Sequence, residues 1–194
     1  SRHQKRIYMG LRSSNGGSVY ERTLVILKPD ALMRGLVGKI ITRFEEAGLT
    51  IAAAKVVSAT PAHLDRHFPS SEEWLRNMGA RACERMRKEL RQDPAVAFGS
   101  EDPLVVGMVI AQGCRAYYLS GPLVALVLFG PGAVHAVRTL IGNTLPSKAA
   151  KGTIRGDFGI RENMENLVGG AAQNLVHASD SVEEARREIA AWFK

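Results

Sequence analysis

Seven consecutive apolar residues, Leu123-Val-Ala-Leu-Val-Leu-Phe129, lie between two groups of glycine and proline, Ser120-Gly-Pro122 and Gly130-Pro131-Gly132. A run of that length, bounded by turn residues, reads as a strand. It is too short to cross a bilayer, and it is the longest apolar run in the chain. It is the clearest strand in the sequence. A second compact run, Thr23-Leu-Val-Ile-Leu27, reads as a buried strand that must stop at Lys28-Pro-Asp30, because proline cannot donate to a ladder.

The elements between and after these runs follow the same rules. Leu36 to Ala47 is an amphipathic helix with Val37, Ile40, Ile41 and Phe44 on one face and Gly48 as its stop. Thr50 to Ala59 reads as a strand. Thr60-Pro61 gives an N-cap with proline at the first helical position, opening a short helix that carries His63, Leu64, His67 and Phe68. Glu72 to Met86 is expected to be helical, Gln92 to Glu101 shows no period, and Leu104 to Leu119 returns to helical spacing. Gly132 opens a helix through Val134, Val137, Arg138 and Ile141, closed by Gly142. Leu175-Val176 reads as a last buried strand. The helix to Phe193 begins at Ser179-Asp-Ser181, with Glu183 and Glu184 at capping-box distance.

Two helix-linked strand pairs in this order suit an α+β ferredoxin-like sandwich, a four-stranded antiparallel sheet with flanking helices. A doubly wound α/β sheet is the alternative. It calls for more βαβ units and a glycine-rich first turn, and neither is present. No GxxxxGK[ST] stretch occurs, which excludes a P-loop. The first 20 residues are polar, basic and rich in Ser and Gly, and read as an extension outside the fold, with Met9 a candidate start. Residues 21–194 are expected to form one domain with insertions near 70–102 and 162–172.

The 194 residues carry 26 Lys and Arg against 19 Asp and Glu, a net charge of +7 that attracts polyanions without separating nucleotides from nucleic acid. Cys83 and Cys114 are too few for a disulfide scaffold and lack metal-ligand spacing with histidine; a reducing compartment fits. His63 and His67 are four apart and could ligate a metal, but no carboxylate or cysteine completes the set.

Two stretches carry chemistry. Asn143 to Gly159 is long and polar, and its glycines, hydroxyls and cations (Thr144, Lys148, Lys151, Gly152, Arg155) are what a phosphate chain needs: close backbone approach, neutral donors and countercharge. Asn174-Leu-Val-His-Ala-Ser-Asp180 places His177 where a strand ends and a helix begins, a rigid mount for a reactive side chain. Taken alone, such a histidine is more often structural.

Several separated stretches together resemble the nucleoside diphosphate kinases: Glu21-Arg-Thr-Leu-Val-Ile-Leu-Lys-Pro-Asp30, Arg34-Gly-Leu-Val-Gly38, Ser120-Gly-Pro122, Gly152-Thr-Ile-Arg-Gly-Asp-Phe158 and Asn174 to Asp180. The resemblance covers most of residues 21 to 193, in family order. It implies the ferredoxin-like fold and transfer of a γ-phosphoryl group between nucleoside tri- and diphosphates by a ping-pong route through a phosphohistidine on His177. It also implies that Glu188 hydrogen-bonds the ring and that Ser179 stands beside it. Lys28, Arg138, Thr144, Arg155 and Asn174 match the family's phosphate and sugar ligands. Mg2+ is implied with the nucleotide, bridging phosphate oxygens, with no protein metal site.

Departures from the pattern are Phe68, where many members have Tyr, and Ala178, often Gly. The base-stacking position is open between Trp74 and Ile110. The family's habit implies a homo-oligomer, a hexamer or a tetramer of dimers, and a cytoplasmic protein without membrane attachment, with nucleic acid a secondary partner. A catalytically silent relative that binds nucleotide or nucleic acid is the alternative; intact His177, Lys28, Arg155 and Glu188 oppose it. An RNA-binding module of the same fold would interleave aromatic and basic residues on its strands. Leu123 to Phe129 has no such pattern.

Overall fold

The computed structural model describes residues 19–161, 167–168 and 171–193. It divides into two compact units. The first takes the chain up to Val57, then Pro122–Arg161, then the stretch from Asn174; the second takes Ser58–Gly121 with Glu162–Gln173. The expected insertion 70–102 falls in the second unit, as do the described residues of 162–172.

The first unit is a four-stranded sheet, β1 (Tyr20–Leu27), β2 (Thr50–Val57), β3 (Leu123–Pro131) and β6 (Val176–Ala178), in the order β2-β3-β1-β6 with every neighbour antiparallel. Joined through helices, that order is the ferredoxin-like α+β fold. The apolar runs explain its centre. Leu24 to Leu27 of β1 and Leu123 to Leu128 of β3 are buried along their length, covered on both faces. Helix α2 (Val37–Glu46) lays Ile40 and Phe44 into one face, where α7 (Ala133–Ile141) adds Val137 and Ile141. Gly48 ends α2 at φ +79, with Gly48 N–H bonding Glu45 O and Leu49 N–H bonding Phe44 O, the exit a Cβ would strain. Pro29 ends β1 and opens the one-turn helix α1 (Pro29–Met33), where its missing N–H costs nothing.

The second unit is helical. Helix α3 (Pro61–His67) begins as expected. Thr60 Oγ1 accepts from His63 N–H, and His63 Nδ1 takes the Thr60 N–H, so a histidine fills the place of the usual Glu or Gln in the capping box. His67 is buried against Phe68 and Tyr118. The two histidines thus serve a cap and a ring cluster, so they do not act as a pair of ligands. Helices α4 (Glu72–Arg85) and α6 (Pro103–Leu119) pack closely around Ala82, Cys83, Val106 and Ile110.

Four sequence expectations change. Helix α4 runs on into a π turn at Met86–Leu90. The aperiodic stretch 92–101 holds a one-turn helix, α5 (Pro94–Phe98), capped by Asp93. The polar loop 143–159 contains a 3-10 turn at Pro146–Lys148 and α8 (Ile154–Phe158), capped by Thr153. One turn is too short to show a hydrophobic period. The short addition after Arg161 includes a two-stranded ribbon, β4 (Leu167–Val168) and β5 (Ala171–Ala172). The expected extension 1–20 lies outside the described residues except for Val19 and Tyr20, and Tyr20 already belongs to β1.

Candidate active site

His177 sits in the middle of β6, paired with Ile26 of β1, rather than past a strand end. Strand alternation turns Val176 and Ala178 into the main core and His177 to the opposite face. Helix α9 (Val182–Phe193) brings Glu188 to it. The His177 Nε2 lies 2.9 Å and 3.0 Å from the two Glu188 oxygens, and the buried Ser179 hydroxyl donates to Glu188 Oε2 at 2.6 Å. A neutral ring therefore gives its Nε2 proton to the carboxylate and keeps the lone pair on Nδ1.

Ser179 is therefore not the helix cap. Ser181 is: its Oγ accepts from Glu184 N–H at 3.1 Å, while Glu184 reaches back to Asp180 N–H at 2.9 Å. The expected carboxylate-hydroxyl exchange exists, two residues later than Ser179.

The other sequence candidates converge on the turn that leads into β6. Lys28, at the end of β1, donates from Nζ to Asn174 Oδ1 at 2.7 Å, and Asn174 Nδ2 donates to Thr144 O at 2.9 Å. Lys28 is thus joined to Asn174 across 146 positions of sequence. Arg155, 6% exposed, spreads its donors over main-chain carbonyls: Nε to Asn174, Nη1 to Gly142 and Nη2 to Val176, at 3.0, 3.0 and 2.5 Å. Thr144 enters through its carbonyl, with its side chain exposed. Arg138 stands apart from this group and is ion-paired with Asp180. Beside that pair a cleft of about 580 Å³ opens, lined also by Glu21, His135, Thr139 and Ser181.

These charges set the protonation of the nucleophile candidate. Burial, then the Lys28 ammonium, push His177 down from 6.5 to about 3, with Arg155 and Arg138 adding to the shift and Glu184 opposing it. The imidazole is neutral at physiological pH.

Three residues went unmarked in the sequence. Asp180 holds Arg138, Asp30 holds the Leu175 N–H, and Arg43 of α2 reaches Gly152 and Asp157. Their partners lie 42 to 145 residues away, and no local pattern encodes such contacts.

A family profile described as nucleoside diphosphate kinase matches residues 21–100 and 106–194. The chain belongs to the nucleoside diphosphate kinase family. A nucleoside diphosphate kinase of Pyrobaculum aerophilum is 50% identical over 175 residues, covering 90% of this chain and 95% of that protein. A crystal structure of an NDP kinase from Pyrobaculum aerophilum superposes with a TM-score of 0.83 at 48% identity, over 90% of this chain and 96% of that one. A transition state mimic of the Borrelia burgdorferi nucleoside-diphosphate kinase, with bound vanadate and ADP, gives a TM-score of 0.65 at 29% identity, over 90% and 88% of the two chains. The kinase is a phosphotransferase acting between nucleoside tri- and diphosphates. Among the described residues no helix is long and apolar enough to cross a membrane.

Proposed function

We propose that the phosphoryl group passes through His177. The observation that carries this reading is the Nε2–Glu188 contact, which leaves Nδ1 as the nucleophilic nitrogen of a ring kept neutral. In the first half-reaction the Nδ1 lone pair forms the N–P bond to the γ-phosphorus. The bond from that phosphorus to the bridging oxygen breaks, and its electron pair leaves with the nucleoside diphosphate. In the second half-reaction a terminal oxygen of another diphosphate attacks the phosphohistidine, and the pair returns to Nδ1. The vanadate and ADP bound to the Borrelia burgdorferi kinase are in keeping with a phosphoryl-transfer centre of this kind.

Lys28, Arg138 and Arg155 supply positive charge for the phosphate chain, and Asn174 and Thr144 its neutral contacts. Glu188, steadied by Ser179, orients the ring. Three carboxyl groups of this region each already bind a protein group, Asp180 with Arg138, Glu188 with His177 and Asp30 through one oxygen with Leu175. That donor set fits a Mg2+ that arrives on the substrate phosphates and keeps its waters, not a cage of protein ligands. Assembly as a hexamer or a tetramer of dimers in the cytoplasm completes the reading, and sedimentation of the purified chain tests the assembly.

The deciding experiment is incubation with γ-labelled ATP. Acid-labile, base-stable label on the wild-type chain, passing to an added diphosphate and lost in His177→Ala, is the expected result. A wild-type chain that stays unlabelled while transferring phosphoryl groups overturns the covalent route.

A further inference from the structure

We propose that Asp30 is a positioning residue for phosphoryl transfer: its carboxyl group holds the backbone turn that presents His177. The proposal rests on the reading of His177 as the nucleophile.

The turn is Asn174–Leu175–Val176. Val176 N–H bonds Asn174 O at 2.7 Å, closing a three-residue ring around Leu175, whose φ is +67°. A γ-turn with its central residue in that region is rare and strained, and leucine has no side-chain hydrogen bond to ease it. Leu175 is also fully buried, so its N–H cannot turn to water. Asp30 Oδ2 receives that N–H at 3.1 Å.

The rest of the turn is fixed as tightly. Leu175 O accepts from Lys28 N–H at 2.8 Å, and Arg155 holds the carbonyls on either side of Leu175. Strained backbone persists only where its surroundings over-determine it, and this turn is gripped at all three of its carbonyls and at the N–H groups of Leu175 and Val176. Asp30 is itself 3% exposed, and its second oxygen, Oδ1, has no hydrogen-bond partner among the described residues. A buried carboxyl group with one contact is costly to keep unless that contact matters. Lys28 lies two residues before Asp30, and His177 two residues after Leu175. The Asp30–Leu175 bond therefore ties the segment that carries the cation to the segment that carries the nucleophile.

A cycle of four proteins tests this: wild type, D30A, L175G and D30A/L175G. The maximal rate of label transfer from γ-labelled ATP to the chain is read by rapid quench, with the half-saturating ATP concentration and Tm for each. Glycine adopts positive φ without steric cost, so L175G removes the need for the clamp. D30A is expected to lower the maximal rate about 100-fold, the scale of a misplaced reacting group, with half-saturation changed less than about threefold. In the L175G background the same substitution is expected to cost about tenfold or less. Equal losses in both backgrounds, or a folded D30A protein that labels at the wild-type rate, overturn the proposal. If D30A does not fold, D30L, of similar size and without an acceptor, takes its place in the cycle and the same non-additivity decides. A wild-type chain that takes no label, or a labelled H177A control, points instead to failure of the His177 reading.

Discussion

Glu188 Oε1 stands 2.9 Å from His177 Nε2, while Oε2 of the same carboxylate takes the Ser179 hydroxyl at 2.6 Å. One side chain on α9, 2% exposed, thus fixes both the tautomer and the tilt of a ring on β6. Removing it leaves the imidazole free to rotate and to place its proton on either nitrogen. E188A is expected to lower kcat about 100-fold in a steady-state assay with ATP and a second diphosphate. E188Q retains one acceptor and should lose less. S179A, which removes only the outer hydrogen bond, should lose least, about tenfold or under. A reversed ranking would mean the carboxylate does not orient the ring.

The depressed pKa of His177 sets a pH dependence with a definite sign. In the unfolded chain the ring binds its proton below about 6.5; in the folded protein it stays neutral down to about 3. Between those values the unfolded state holds more protons, so this residue's contribution favours folding less as pH falls from 6.5 towards 3 and is constant above 6.5. The labelling rate should therefore show no inflection near 6.5 and remain level from pH 8 to about 5. Removing the nearest cation with K28M should move the ring's titration upward, which NMR of the His177 ring resonances would follow. An unshifted titration in K28M would rule out the Lys28 field as a cause.

The fold and the site were legible to different degrees, for physical reasons. Strands β1 and β3 announce themselves as apolar runs because they are covered on both faces. Thr60-Pro61 and Gly48 marked helix ends because capping chemistry is local. Helix α5 was missed although Asp93-Pro94 carried a cap-and-proline signal, because five residues show no period. Of the residues singled out by resemblance, Lys28, Thr144 and Arg155 meet at Asn174 while Arg138 pairs with Asp180, an arrangement that could not be read in advance. Arg155 looked like an open phosphate ligand in a polar loop, and the fold turns its donors onto three carbonyls. Asp30 stood in the sequence only as part of the Lys28-Pro-Asp30 strand end, and tertiary structure aims its carboxyl group at a residue 145 positions away.

Helices α4 and α6 touch backbone to backbone at two glycines. A Cβ on Gly79 would lie 1.8 Å from Pro103 O, and one on Gly107 would lie 2.0 Å from Leu75 O. Both neighbours are main chain and cannot swing aside. Alanine gains about 1 kcal/mol of helix propensity at each site, but forcing the helices apart costs about 1–3 kcal/mol or more. G79A and G107A should each lower the stability of the second unit, seen as faster proteolysis between Ser58 and Gly121. Because both changes strain the same crossing, the double mutant should lose less than the sum. Unchanged protease resistance would mean the helices do not cross this closely.

Arg43 projects from α2 into the segment that carries Arg155. Its Nη1 donates to Gly152 O at 3.0 Å, its Nη2 meets Asp157 Oδ2 at 2.5 Å, and its guanidinium lies 5.5 Å from the Phe158 ring centre. Asp157 Oδ1 closes the loop by accepting Gly152 N–H at 2.8 Å; that bond first, and Arg43 second, hold the Asp157 carboxyl below its usual range. An exposed ion pair of this kind contributes little to stability, so R43A should barely move Tm. Its effect should fall on the nucleotide instead. Without the fork, Gly152 and Asp157 are free to shift and carry α8 with them, and Arg155 loses its register against Gly142 and Asn174. R43A is therefore expected to raise KM for the nucleoside diphosphate about tenfold at nearly constant Tm. R43K should recover little, because a lysine cannot span two acceptors and stack on a ring at once. The bracing fails as pH falls through the depressed Asp157 titration and is intact above the ordinary carboxylate value, so the R43A penalty should be full at neutral pH and vanish in acid. A KM equal to wild type at neutral pH would show that Arg155 keeps its place without this brace.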